Sequence, residues 1–135
     1  MAPLLKRVRK LLPLWKQVLR STRNLEALFA DGEVKPSLLH GDLWNGNMAG
    51  SPMGQPPALF DPAAYFGHSE AEFGMAWCAD FDEKFWQGYR SIMPEAPGFR
   101  KRQPLYEAYH KLNHYCLFQE SRYLSSAEAL LKKLL

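Results

Sequence analysis

Residues 36–66 restrict the fold more than any other part of the chain, because two short apolar runs there lead into polar side chains. "LLH" at residues 38–40 has the length of a buried strand, and "HGDLWNGN" at 40–47 follows it as a loop. "AGSPMGQPP" at 49–57 predicts a turn between two strands, and "ALF" predicts the second strand, directly before Asp61. We therefore expect the polar loop and Asp61 at the ends of one small hairpin.

The remainder of the sequence predicts helices. Residues 4–29 carry apolar side chains at helical spacing, and Pro13 either breaks this helix or opens a second one at its first turn. Four more helices are predicted, at residues 69–81, 82–93, 103–119 and 125–135. Capping boxes are predicted at two helix starts, Ser69 with Glu72 and Ser125 with Glu128.

A chain of 135 residues with 47% hydrophobic and 23% charged side chains has the size and composition of one globular domain. The predicted fold class is α+β and mostly helical. We expect a basic helical segment and turn at 1–35, the loop-bearing hairpin at 36–66, and a helical subdomain at 67–135. There is no apolar run of the roughly 18 residues that a membrane-spanning helix needs.

The first 23 residues contain seven basic side chains and no acidic one, although the net charge of the whole chain is only +3. An organelle transit peptide, a membrane-surface helix or a nucleic-acid contact would each fit this pattern. The exposed face of an ordinary helix fits it better, because apolar residues repeat at helical spacing in the same segment. We therefore expect no nucleic-acid or membrane partner.

Cys78 and Cys116 lie far apart, with no CxxC spacing and no cysteine-rich framework. This pattern predicts reduced thiols in an intracellular, cytoplasmic protein. The basic start leaves targeting to a mitochondrion or plastid open.

The polar loop has the side chains that phosphoryl transfer requires. A carboxylate must orient and deprotonate the attacking hydroxyl, and oxygen ligands must hold Mg²⁺ against the phosphates. Asp42 precedes Asn47 by the spacing of the kinase H-R-D-L-x-x-x-N loop, His40 takes the His position, and Asp61 follows the hairpin as a second metal ligand would. Asp42 and Asn47 as turn-stabilising Asx residues are the alternative, but the ordered set favours the functional interpretation.

At this point the sequence resembles the fructosamine-3-kinase and ketosamine-3-kinase family, a branch of the protein-kinase-like fold that includes aminoglycoside phosphotransferases and choline kinases. "LLHGDLWNGN" resembles the catalytic loop of the family, and "FDPAAYFGHSE" resembles its metal-binding segment. "PEAPGFRKRQPLYEAYHKLNH" is similar to its C-terminal helical region, so the resemblance covers residues 36–124.

The resemblance implies ATP-dependent phosphorylation of the 3-hydroxyl of a protein-bound or small-molecule ketosamine, which leads to protein deglycation. Carried over by motif position, Asp42 is the catalytic base, His40 supports the loop, and Asn47 and Asp61 hold Mg²⁺ and with it the nucleotide. Trp44 offers an aromatic face to the sugar-amine substrate, and His114 is a weaker candidate for the substrate pocket.

The sequence departs from the family at its start. A complete kinase of this fold has an N-terminal lobe with a Gly-rich loop and a strand Lys, and neither pattern precedes the polar loop here. We therefore expect only the C-terminal lobe of the fold, with the N-lobe absent. Two alternatives stay open: a related aminoglycoside or choline kinase, and a non-catalytic lobe that self-associates or docks a partner through the face left by the missing N-lobe.

Overall fold

The structure is a computed structural model that describes residues 2–50 and 56–135, with side chains from residue 6 onward. Residues 51–55, in the predicted hairpin turn, lie outside the described residues. The described chain is mostly helical with few strands, as the sequence predicts. It divides into two compact units, Met1–Glu33 with Pro97–Leu135, and Val34–Ala96.

The described ranges contain five α-helices and four strands. In chain order these are α1 (Ala2–Arg9), α2 (Leu12–Ser21), β1 (Pro36–Leu39), β2 (Met48–Ala49), β3 (Ala58–Leu59), β4 (Tyr65–His68), α3 (Glu83–Ile92), α4 (Phe99–Phe118) and α5 (Ser121–Lys132). Three short 3₁₀ segments add to them, at Glu26–Leu28, Asn45–Asn47 and Ser69–Cys78.

The first unit begins with two helices, because Pro13 opens α2 in its first turn, where its missing N–H does no harm. This is the second of the two predicted alternatives. Thr22 ends α2: its hydroxyl donates to the Val18 carbonyl (2.7 Å) and accepts from the Leu25 N–H (3.1 Å). Residues 23–25 then have positive φ, so the chain turns there and no helix continues to residue 29.

The core of the first unit joins its two ends. Val18 of α2 is fully buried, and it lies in one apolar cluster with Ala108 of α4 and with Leu130 and Leu131 of α5. Helix α5 packs on both α2 and α4. The basic starting segment therefore belongs to the folded core through its apolar side chains.

The second unit contains two antiparallel strand pairs, one nested within the other along the chain. The inner pair, β2 with β3, is the predicted hairpin, with Met48 opposite Leu59. The outer pair, β1 with β4, aligns Pro36 with His68, and no pattern in the sequence predicts it. As a result, residues 40–47 and residues 60–64 are the two connections between the same two strand pairs.

Both predicted capping boxes are wrong. Ser69–Cys78 is a 3₁₀ segment without a side-chain cap, and Glu72 instead accepts from backbone N–H groups of the polar loop. Helix α5 begins at Ser121, ahead of Ser125, and Glu128 forms an ion pair with Lys132 at 2.7 Å. The Ser-x-x-Glu pattern does not determine which partner the carboxylate finds, because the same spacing occurs inside an element.

An aromatic cluster fixes the 3₁₀ segment against α3. Phe73 is 5% exposed, and its ring lies 4.7 Å from that of Tyr89 and 4.9 Å from that of Trp86, centroid to centroid. Phe81 and Phe85 complete the cluster and stack at 3.7 Å. These contacts give a rigid base to the segment that carries Glu72.

Candidate functional site

The polar loop turns sharply directly after β1. Gly41 has φ +78°, and a Cβ at this position would lie 2.6 Å from the Ala63 carbonyl oxygen. Only glycine fits both the backbone conformation and the close approach. Two residues later, Leu43 is buried and anchors the loop to the unit.

Glu72, in the 3₁₀ segment Ser69–Cys78, holds the loop. Its carboxylate accepts from two consecutive backbone N–H groups, those of His40 (2.5 Å) and Gly41 (3.0 Å). Hydrogen bonds to an ionised acceptor are about twice as strong as neutral ones. The backbone just before Asp42 is thereby fixed to the 3₁₀ segment.

Asp42 and Asn47 are brought together by the loop. The Asn47 side-chain N–H₂ donates both to the Asp42 backbone carbonyl and to Asp42 Oδ2, each at 2.9 Å. No described residue donates to Asp42 Oδ1. One oxygen of the Asp42 carboxylate is thus oriented, and the other has no donor among the described residues.

Asp61 is held next to this loop through its neighbour Phe60. The Phe60 N–H donates to the Asn47 carbonyl (3.1 Å), and the ring nitrogen Nε2 of His40 lies 3.0 Å from the Phe60 carbonyl oxygen. His40 Nδ1 accepts from the Asp42 N–H (3.4 Å), so Nε2 carries the proton and donates to Phe60. His40 therefore links the polar loop to the segment of Asp61.

Asn47 and Asp61 fit the requirements of a Mg²⁺ site in part. Because the Asn47 nitrogen faces two acceptors, its oxygen Oδ1 is the atom left for a ligand, and hard cations take oxygen. Asp61 is exposed and has φ +52°, a conformation that non-glycine residues adopt rarely. Among the described residues, no group of three His, Cys, Asp or Glu side chains is placed to hold a metal ion.

Trp44 lies at the rim of the loop. Its ring covers the Gly46 backbone, where a Cβ would come within 2.2 Å of the ring, and the residue is 40% exposed. The tryptophan is therefore both anchored and accessible, as a platform for a sugar-amine would be.

His114 lies in the first unit, on α4, whereas the other predicted site residues lie in the second. Its Nδ1 is 2.9 Å from the His110 carbonyl oxygen, and its ring lies 5.5 Å from Phe118 and 5.2 Å from Tyr123. The substrate-binding role of His114 stays a prediction.

The 3₁₀ segment carries a second carboxylate, that of Glu70, in the same unit as the loop. Glu70 is 4% exposed, and its carboxylate lies 3.7 Å from His68 Nε2. Burial raises the pKa of Tyr89, and the carboxylates of Glu72 and Glu70 raise it further. Tyr89 therefore remains a neutral phenol beside Glu72 at physiological pH.

The charge of the chain is divided unequally between the two units. Val34–Ala96 contains eight acidic and three basic side chains, a formal charge of −5. The other unit contains fourteen basic and six acidic side chains, a formal charge of +8. The loop thus lies in an acidic unit, which attracts cations.

Glu72 is the site residue that sequence reasoning missed. Its Ser-x-x-Glu context fits a capping box, and it is separated from Gly41 by 31 residues. No local pattern identifies such a partner, because the contact exists only once both strand pairs have formed.

Comparisons with known proteins agree on one family. A family model described as fructosamine kinase matches residues 4–135. The protein-ribulosamine 3-kinase, chloroplastic, of Oryza sativa subsp. japonica is 50% identical over 112 residues, 83% of this chain and 32% of that protein. The ketosamine-3-kinase of Mus musculus is 44% identical over 108 residues, 79% of this chain and 33% of that protein.

A solved structure shares the fold. The crystal structure of a candidate fructosamine-3-kinase from Thermobifida fusca YX-ER1 superposes with a TM-score of 0.76 at 28% identity, over 99% of this chain and 47% of that chain. The chain spans about a third of the length of the curated rice and mouse relatives. None of the helices in the described ranges is long and apolar enough to cross a membrane.

Proposed function

The chain belongs to the fructosamine kinase family, and we propose that it supplies the catalytic part of a kinase that transfers the γ-phosphoryl group of ATP to the 3-hydroxyl of ketosamines. The observation that carries the proposal is the hydrogen bond from Asn47 to Asp42 Oδ2, next to the segment that presents Asp61. A base and two metal-binding oxygen groups then lie on adjoining connections.

In the proposed reaction, Asp42 Oδ1 accepts the proton of the substrate hydroxyl as its oxygen attacks the γ-phosphorus and ADP leaves. Asn47 keeps the Asp42 carboxylate oriented, and Glu72 fixes the backbone before it. Asn47 Oδ1 and the Asp61 carboxylate would hold Mg²⁺, which neutralises phosphate charge when it is bound. His40 keeps the two connections together through Phe60.

The acidic unit supports a cationic substrate. The amine of a ketosamine is protonated near neutral pH, and a formal charge of −5 in Val34–Ala96 attracts it. The exposed ring of Trp44 suits both the apolar face of a sugar and an adjacent cation. Enolisation of the 3-phosphorylated ketosamine towards C1 would expel inorganic phosphate, and water would then cleave the carbon–nitrogen bond and release the protein amine, which is deglycation.

In this proposal, the whole enzyme includes an N-terminal lobe in addition to this chain. A C-terminal lobe of the protein-kinase-like fold needs an N-terminal lobe to cover the phosphates, and the relatives are about three times as long. We propose an intracellular location, since Cys78 and Cys116 form no disulfide. The rice relative carries "chloroplastic" in its name, so a plastid is one such location.

Mass spectrometry of a fructosyl-lysine peptide incubated with ATP and Mg²⁺ tests the proposal. The chain is assayed alone and grafted in place of the matching segment of the rice relative. We expect a phosphorylated adduct from the graft, and Asp42→Asn should lower its rate at least about 10³-fold. Asp80→Asn is the control, because it makes the same side-chain change at an exposed aspartate outside the polar loop, and it should leave the rate unchanged.

Two outcomes would contradict the proposal. Phosphorylation of choline or an aminoglycoside in preference to the ketosamine would assign the site to another acceptor. A graft with full activity after Asp42→Asn would remove Asp42 from the reaction.

A further inference from the structure

The first helices of the chain present an unusual concentration of unpaired positive charge. We define the basic face as the seven basic side chains that precede Glu26: Lys6, Arg7, Arg9, Lys10, Lys16, Arg20 and Arg23. All seven are exposed. None of them forms an ion pair or hydrogen bond through its side chain with another described residue.

Cations elsewhere in the same unit, Lys133 excepted, differ in this respect. Lys132 lies 2.7 Å from Glu128, and Lys111 lies 3.8 Å from Glu107. Lys101 lies 4.0 Å from Asp31. The excess charge of the unit is thus concentrated on the basic face, where nothing in the described chain neutralises it.

The basic face is held in a fixed position. Leu11 and Val18, which lie between its cations in sequence, are 7% and 0% exposed in the core that α5 completes. Lys16 and Arg20 are four residues apart within α2, which places them on one side of that helix. Because the backbone that carries these cations is already ordered, binding a complementary surface would restrict their side chains but need not order the backbone.

We propose that the basic face binds the acidic surface of the protein that carries the ketosamine. This inference rests on the proposed function, since it identifies a class of substrate: acidic proteins in preference to basic ones. Complementary charge across an interface raises the rate of encounter and excludes partners of the same sign.

The structure favours protein over the two other polyanions. Membrane-surface helices insert an apolar face into the lipid. The apolar face of α2 is instead packed in the core. Among residues 6–23, Leu12 is the only large apolar side chain that is exposed. Single-stranded nucleic acid needs exposed aromatic rings to stack on, and Trp15, the one aromatic residue of this segment, packs against the core.

Matched peptides test the inference without ATP. Each fluorescein-labelled peptide carries one fructosyl-lysine, flanked by Glu in one peptide and by Ser in the other, and an unmodified Glu peptide is the third probe. Anisotropy should report at least about tenfold tighter binding of both Glu peptides at low salt, with the advantage falling as salt rises. The unmodified Glu peptide carries no ketosamine, so its binding reports on the basic face alone. It should therefore still bind if the proposed ketosamine recognition is wrong.

Two variants of equal charge change locate the binding surface. Lys6→Gln, Lys10→Gln and Lys16→Gln together should abolish the preference for Glu peptides. Lys101→Gln, Lys132→Gln and Lys133→Gln together should retain it within about twofold. Circular dichroism checks that both variants fold.

Several results would overturn the inference. Equal binding of the Glu and Ser peptides would show that the protein has no preference for acidic peptides. An equal loss of the preference in both variants would show that it depends on the overall positive charge and not on the basic face. Stronger displacement of the probe, per unit charge, by a DNA duplex or by phosphatidylserine vesicles would assign the face to that polyanion instead.

Discussion

At the level of single residues, the polar loop depends on a carboxylate that lies outside it. Glu72 accepts from the His40 and Gly41 N–H groups with its two oxygens. Glu72→Gln replaces one of these oxygens by a donor that faces another donor. We expect amide exchange of His40 and Gly41 to rise by about tenfold or more, because a hydrogen bond to a charged group contributes about 1.5–3 kcal/mol.

The control for this change is Glu83→Gln, which removes an exposed carboxylate from the first turn of α3. It should leave both exchange rates unchanged. Similar exchange in wild type and Glu72→Gln would show that the loop holds its conformation without Glu72.

Gly41 allows a sharper test of the loop backbone. Gly41→Ala forces an alanine into φ +78° and brings its Cβ to 2.6 Å from the Ala63 carbonyl oxygen, so we expect a loss of at least about 2 kcal/mol in the free energy of unfolding. Gly88→Ala should instead gain about 0.5–1 kcal/mol, because Gly88 lies within α3 with no atom near the added Cβ. Urea denaturation measures both, and equal effects of the two substitutions would contradict the strain argument.

At the level of elements, a single buried cation ties the start of α4 to the preceding turns. Arg102 is 3% exposed, and its guanidinium donates to the Leu28 carbonyl (2.9 Å) and the Pro97 carbonyl (2.8 Å). Arg102→Met leaves both carbonyl groups without this donor. We expect a cost of about 3 kcal/mol in the free energy of unfolding, measured by urea denaturation.

The neighbouring Lys101 provides the comparison for Arg102. Lys101→Met removes an exposed cation whose partner among the described residues, Asp31, lies 4.0 Å away, so the free energy of unfolding should change by no more than about 0.5 kcal/mol. A loss as large as that of Arg102→Met would mean that charge, and not the buried hydrogen bonds, stabilises this region.

At the level of the whole molecule, the basic start is part of the fold. Val18→Ala should cost about 2 kcal/mol, because it leaves a cavity at a position that is 0% exposed in the core shared with α4 and α5. Leu12→Ala, at a position 48% exposed, should cost less than half as much. Thermal unfolding measures both, and an unchanged transition in Val18→Ala would fit a transit segment that the fold does not need.

The sequence by itself determined α3, α4 and α5, the inner strand pair and the order of His40, Asp42, Asn47 and Asp61. These features depend on local periodicity, on turn chemistry and on the spacing of polar residues, all of which can be read along the chain. The position of Pro13 likewise allowed the start of a second helix to be predicted, because proline is tolerated in the first turn of a helix.

Only the tertiary structure decided the partners of those residues. The outer strand pair, the carboxylate of Glu72 at the loop, and the His40 link to Phe60 each join residues that are 20 or more apart. A Ser-x-x-Glu pattern specifies a carboxylate but not the N–H groups it will meet, because chain closure and packing, and not local conformation, bring those groups within hydrogen-bonding distance.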